Sequence, residues 1–246
     1  VLIAIVFTAY IAAAQNAVPE QLINNADRIE FVANKGQMVY PDKSPAEDVR
    51  FSAGVRGKQI YVRKTGLSFV YKKIEVDSAE QSGNKLDGWD GLAELQQSRR
   101  VTRYRMDMEL IEPNAGAEIA GMEKIDAYNN YYLNHCQITH VPIYRKVVYR
   151  GIYEDIDMVL YTGREKRLEY DFIVQPGADP QQIKFRFAGA GKIDITGDGD
   201  IIVKNEMGGL EKLKPVSFQQ GKEIESSFKI DENGVISFEL SEYDKS

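Results

Sequence analysis

A two-residue period runs through this chain and restricts what it can fold into. Residues 101–110 read VTRYRMDMEL, with Tyr104, Met106, Met108 and Leu110 alternating with Arg103, Arg105, Asp107 and Glu109. The pattern returns at 168–174, where Leu168, Tyr170, Phe172 and Val174 enclose Glu169 and Asp171. It returns again at 235–240, where Ile236, Phe238 and Leu240 enclose Ser237 and Glu239. Successive side chains of a strand point to opposite faces, so each segment offers one apolar row to a core and one polar row to water. Glu169 and Asp171 are accordingly expected on the solvated face of a strand.

Between these segments lie short strand-like runs separated by Gly and Asp turns. Residues 29–37 read as a strand closed by an Asn-Lys-Gly turn. Residues 49–71 read as three strands divided at Gly54-x-x-Gly57 and Thr65-Gly66. Further strands are expected over 128–133, 143–149, 156–161, 183–187, 193–195, 201–203 and 224–230. Those at 143–149 and 156–161 are apolar on both faces and therefore central. Residues 72–100 break the series. Ser82-Gly83-Asn84, Asp87-Gly88 and Asp90-Gly91 are turn signals, and residues 92–97 suit one or two helical turns. The expected fold is all-β, an antiparallel β-sandwich with one long irregular insertion. It can be one sandwich or two packed lobes. The two-lobe reading is preferred, with residues 15–133 (insertion 72–100) and 134–246 as the lobes and their junction between 128 and 142.

The chain opens on VLIAIVFTAYI followed by Ala12, Ala13 and Ala14. A membrane-spanning helix needs about 20 apolar residues, so this run is too short to span. Its length suits a secretory h-region, and the alanines suit a small-residue cleavage site. Residues 1–14 are read as the latter part of a signal peptide, cut after Ala14 to leave Gln15 at the new terminus. The alternative is a buried N-terminal strand or helix. No Cys follows the alanines, which argues against a lipoprotein signal. The chain is expected to continue beyond Ser246 into further domains.

Apolar residues make up 43% of the 246, enough for a large core. A net charge of −6 with interspersed signs leaves no basic footprint for nucleic acid. The single cysteine, Cys136, cannot form an internal disulfide.

Few constellations suggest chemistry. His135, Cys136 and His140 match no closed zinc spacing, and on a strand the two histidines would face opposite ways. Asp194, Asp198 and Asp200, in DITGDGD, resemble a calcium loop but lack its ligand series, and a hairpin turn fits better. Glu154, Asp155 and Asp157 form one carboxylate cluster, and Glu169 with Asp171 another. A glycosidase needs two carboxyls about 5–10 Å apart across a cleft. Tyrosines crowd 128–161, where strand propensity accounts for them. Trp89, Tyr131 and Tyr132 are the candidates for a ligand surface. No Gly-x-Ser-x-Gly, P-loop or dinucleotide fingerprint is present.

Several motifs together suggest a family. They are Phe31-x-x-Asn34-x-Gly36-Gln37, the spacing of Tyr144, Tyr149 and Tyr153, Ile156-Asp157, Glu169-Tyr170-Asp171-Phe172, Pro176-Gly177-Ala178-Asp179-Pro180, Lys214-Pro215 and Phe218-Gln219. On these the chain resembles the uncharacterised N-terminal domain of bacterial surface proteins that carry SBBP (β-propeller-type) repeats, PKD-like domains or gliding-motility-associated C-terminal sorting domains. Asp155 stands where that family usually has Gly before the Ile-Asp pair, and residues 134–140 lack an expected Trp. The resemblance implies export to the outer surface, often by the type IX route. It brings no catalytic residues and no cofactor. The expected function is a non-catalytic structural or adhesive module. Its expected partners are the downstream domains of its own polypeptide, with surface polysaccharide or protein beyond them, and the protein is not expected to be integral to a membrane. A glycan-binding module using exposed aromatics is the first alternative, and a carboxylate-pair hydrolase the second.

Overall fold

The computed structural model describes residues 3–10, 28–55, 58–76, 99–163, 167–205, 208–212 and 214–244. Its strands are β1 (Ile3–Tyr10), β2 (Phe31–Ala33), β3 (Val49–Val55), β4 (Lys58–Arg63), β5 (Gly66–Val76), β6 (Arg99–Leu110), β7 (Glu118–Leu133), β8 (Cys136–Tyr153), β9 (Ile156–Thr162), β10 (Leu168–Val174), β11 (Phe185–Ala188), β12 (Lys192–Ile195), β13 (Ile201–Asn205), β14 (Gly208–Lys212), β15 (Val216–Gln219), β16 (Lys222–Ile224), β17 (Ser226–Ile230) and β18 (Ile236–Leu240). Among the described residues all strand pairs are antiparallel, and no sheet closes into a barrel. Among the described residues no helix is long and apolar enough to cross a membrane.

β8 organises the layers because it is long enough to serve two of them. Phe31 and Val32 of β2 pair with its Tyr144 and Ile143, whereas β9 pairs with residues further along, from Lys146 to Tyr153. From β2 one layer continues through β3, β4, β5, β6, β11, β18 and β17. From β9 the other continues through β10, β1, β15 and β16. A three-stranded meander, β12–β13–β14, joins the second layer where β14 pairs with the end of β1.

The alternating segments form β6, β10 and β18, and their apolar rows face inward. Met106, Met108, Tyr170, Phe172, Ile236 and Phe238 are all buried. The Tyr170 hydroxyl of β10 reaches Met108 Sδ of β6 at 3.5 Å, one contact between the two layers. Tyr149 of β8 is fully enclosed and donates its hydroxyl to the carbonyls of Arg63 (2.7 Å) and Gly66 (3.0 Å) at the β4–β5 turn. Buried residues from Ile29 to Phe238 make one cluster. The expected lobe junction falls on the β7–β8 hairpin, and residues on both sides of it belong to that cluster.

Two sequence expectations change in detail. The β5–β6 ladder reaches Val76 opposite Arg99, so it extends into the expected insertion; residues 77–98, including Trp89 and the helical turns read at 92–97, lie outside the described residues. The run 224–230 is not one strand. β16 pairs with β15 and β17 with β18, so the chain changes layer at Glu225. The opening run forms β1, a strand between β10 and β15.

Candidate functional site

β7 and β8 form the longest hairpin among the described residues. Beyond Lys124 it keeps Val141 and Ile143 buried and packs Tyr131 and Ile138 against the core cluster, while other side chains are exposed. Tyr128 is 51% exposed, Tyr132 71% and Leu133 42%. Two register shifts, at Lys124/Tyr128 and Asn129/Tyr131, reshape β7 here. A β-bulge twists a strand and re-aims its side chains. The Tyr128 ring stacks on the His140 ring at a centroid distance of 4.4 Å and an interplanar angle of 30°. His140 sits at φ 57° with its backbone N–H donated to Asn130 Oδ1 at 2.9 Å, which anchors the main chain that carries the ring.

The two tyrosines expected to face a ligand divide. Tyr132 is open to solvent, whereas Tyr131 is half-buried against the core cluster, with Asn129 Nδ2 donating to its hydroxyl at 3.4 Å. Sequence reasoning missed Tyr128 and His140. They are twelve residues apart, and only the hairpin register brings them together. Flat exposed aromatics flanked by Asn side chains can stack on planar or sugar-like faces and hydrogen-bond at their rims.

A second constellation corrects an expectation. Glu169 is not on a solvated face; it is buried, at 6% exposure. β10 lies inside its sheet, between β9 and β1, and Glu169 is opposite Tyr161. Gly163 leaves the room: a Cβ there would lie 1.7 Å from the Glu169 carboxyl carbon. The Tyr161 hydroxyl donates to Asp171 at 3.0 Å, and the Glu169 carboxylate acts on the same group. Burial, then these carboxylates, pushes the Tyr161 hydroxyl well above its ordinary pKa. A cavity of about 400 Å³ adjoins Tyr161 and Gly163 and is lined also by Arg28, Glu123, Arg145 and Lys146. Lys146 is tied to Glu123 at 2.7 Å. The two carboxylates converge on a protein hydroxyl instead of facing each other across a cleft.

A family model described as a domain of unknown function (DUF7948) matches residues 31–246. The chain belongs to that family. No curated protein and no solved structure matches it.

Within the range shared with the DUF7948 family, the sequence motifs act as fasteners. Asn34 Nδ2 donates to the carbonyls of Ala46 and Val49, both at 3.0 Å, and its Oδ1 accepts from Gly36 N. Gln37, buried, donates to Ala33 O and accepts from Lys35 N. Tyr153 donates to Lys184 O at 3.0 Å, and the Tyr144 ring meets Phe51 edge-on. Asp157 accepts from Gly151 N at 2.7 Å. Asp155 occupies the two-residue β8–β9 turn at φ 54°, the left-handed region that favours glycine.

The remaining candidates are spread out. His135 Nε2 lies 3.1 Å from Gln37 O, and Cys136 is half-buried. Among the described residues no group of three His, Cys, Asp or Glu could hold a metal. DITGDGD is the β12–β13 hairpin turn, closed by Thr196 and Asp200, with Gly199 at φ 89°. Asp200 Oδ1 accepts from Lys214 N at 2.6 Å, which ties the turn to the Lys214-Pro215 motif.

Proposed function

We propose that this chain is a non-catalytic module of an exported bacterial surface protein and that its long hairpin is an adhesive surface. The observation that carries the reading is the exposure of Tyr128, Tyr132 and Leu133 on one hairpin. Large apolar side chains exposed together on one hairpin cost solubility, and a binding role explains their presence. Tyr149 and Tyr153 of the core instead donate to backbone carbonyls in the interior. Export is supported by the apolar opening run with Ala12–Ala14 behind it, by the surface-protein resemblance and by the mixed acidic surface. Its partners would be the domains that follow in the same polypeptide and a polysaccharide or protein of the cell surface.

A glycan-binding reading is favoured by the Tyr128–His140 stack, whose flat rings suit a sugar face. A carboxylate-pair hydrolase draws support from the approach of Glu169 and Asp171, but their shared tyrosine satisfies them structurally. Polysaccharide arrays and pull-downs from an outer-surface fraction divide these readings. The adhesive reading expects capture that falls at least tenfold in a Tyr128→Ala/Tyr132→Ala/Leu133→Ser variant. The glycan reading additionally expects saturable binding to purified polysaccharide, and none on any array would end it. Undiminished capture by the triple variant would end the hairpin assignment.

A further inference from the structure

β1 lies between two strands along four residues. Ile3 is opposite Val174 and Gln219, Ala4 opposite Ile173 and Phe218, Ile5 opposite Phe172 and Ser217, and Val6 opposite Asp171 and Val216. Its end then pairs with β14, Ala9 opposite Lys212 and Tyr10 opposite Glu211. Among the described pairings, β15 and β16 reach the rest of the sandwich through β1, and so does the β12–β14 meander.

Neighbouring strands lie about 4.8 Å apart, so β10 and β15 without β1 would face each other across roughly 9.6 Å. That is too far for direct pairing. Two rows of backbone N–H and C=O groups would be left unmet, which is costly where water is excluded. The inner side of that gap is well buried: Leu168, Tyr170, Phe172, Val174 and Ser217 all lie in the interior. The segment that fills it, IAIVFTAY, carries no charge. It is followed by the small residues at which the export reading places cleavage.

We propose that the gap between β10 and β15 is a strand-acceptor site. Ile3–Tyr10 fills it within the chain. Once the chain is cut after Ala14, the site accepts an extended, uncharged, β-branched-rich strand from another polypeptide, antiparallel to both neighbours. Main-chain hydrogen bonds on two sides would supply affinity, and the apolar interior would select against charged strands. The cut in this proposal rests on the export reading; the acceptor geometry does not.

The test uses the full chain with a specific protease site placed over residues 11–14. The folded protein is cut and then mixed with a fluorescent peptide of residues 1–12 carrying a lysine tail for solubility. Saturable uptake is expected, with an Ile5→Pro peptide at least tenfold weaker because it removes a ladder N–H. Amide exchange in 168–174 and 216–219 should rise when the fragment leaves and fall when peptide is added. If cutting unfolds the chain, recovery on adding peptide supports the site and failure to recover overturns it. No uptake, or exchange in both segments indifferent to the fragment, also overturns it. N-terminal sequencing of the exported protein tests cleavage separately: a chain retaining Val1 would end the cleavage reading and leave the peptide result standing.

Discussion

Tyr149 donates one hydroxyl to two carbonyls in a place water does not reach. Tyr149→Phe leaves both acceptors short of that donor and should cost about 1–2 kcal/mol in denaturant unfolding, with little change in shape. Lys58 is the opposite case. Its Nζ lies 4.8 Å from the centre of the Tyr71 ring, buried and without a hydrogen-bond partner among the described residues. Burial lowers its pKa to about 8, and burial raises Tyr71 and Tyr153 to about 12. Above pH 8 the folded Lys58 has lost its proton while the unfolded chain keeps it until about 10.5, so stability should rise from pH 8 towards 10. Above pH 10 the unfolded tyrosines ionise and the buried ones do not, so stability should fall again. Part of the Lys58 side chain reaches solvent, which limits its gain to about 1 kcal/mol. A Lys58→Met variant should lose the rise and keep the fall in urea melts across this range. Asp155, at φ 54° in its tight turn, should tolerate Gly with no loss and lose about 1–2 kcal/mol as Val, read from the melting temperature.

At the scale of elements, the two-residue period makes β6, β10 and β18 legible in the sequence, because a strand half-buried in a sandwich imposes that period directly. The three strands of 49–71 and the β12–β13 turn are legible from Gly and Asp turn chemistry. The layer change at Glu225 is not, because 224–230 is uniformly strand-like and only its partners differ. Glu169 misleads for a related reason. Its alternation reads as outward, but its burial comes from Tyr161 on the neighbouring strand and from the missing side chain of Gly163. A Gly163→Ala change should therefore displace Glu169 and destabilise the domain by roughly 1–3 kcal/mol, measured by chemical unfolding. Tyr132 is legible as a candidate, while the Tyr128–His140 stack depends on two register shifts that no local pattern announces.

At the scale of the whole molecule, the fold separates a fastening interior from one exposed aromatic hairpin. Tyr149, Tyr153 and the Asn34, Gln37, Asp157 and Asp171 side chains close turns and join strands. Tyr132 and Leu133 are open to solvent, as is the Tyr128 ring on its free side, and the proposed adhesive role rests on that contrast. The most direct test compares two variants for capture by an outer-surface fraction, at a temperature where both are folded. Tyr128→Ala/Tyr132→Ala/Leu133→Ser should keep the native melting temperature and lose at least tenfold in capture. Glu169→Gln/Asp171→Asn should melt lower and capture as well as the native chain. If the carboxylate variant loses capture while the hairpin variant retains it, the working surface lies at the Tyr161 cluster and the adhesive hairpin is contradicted.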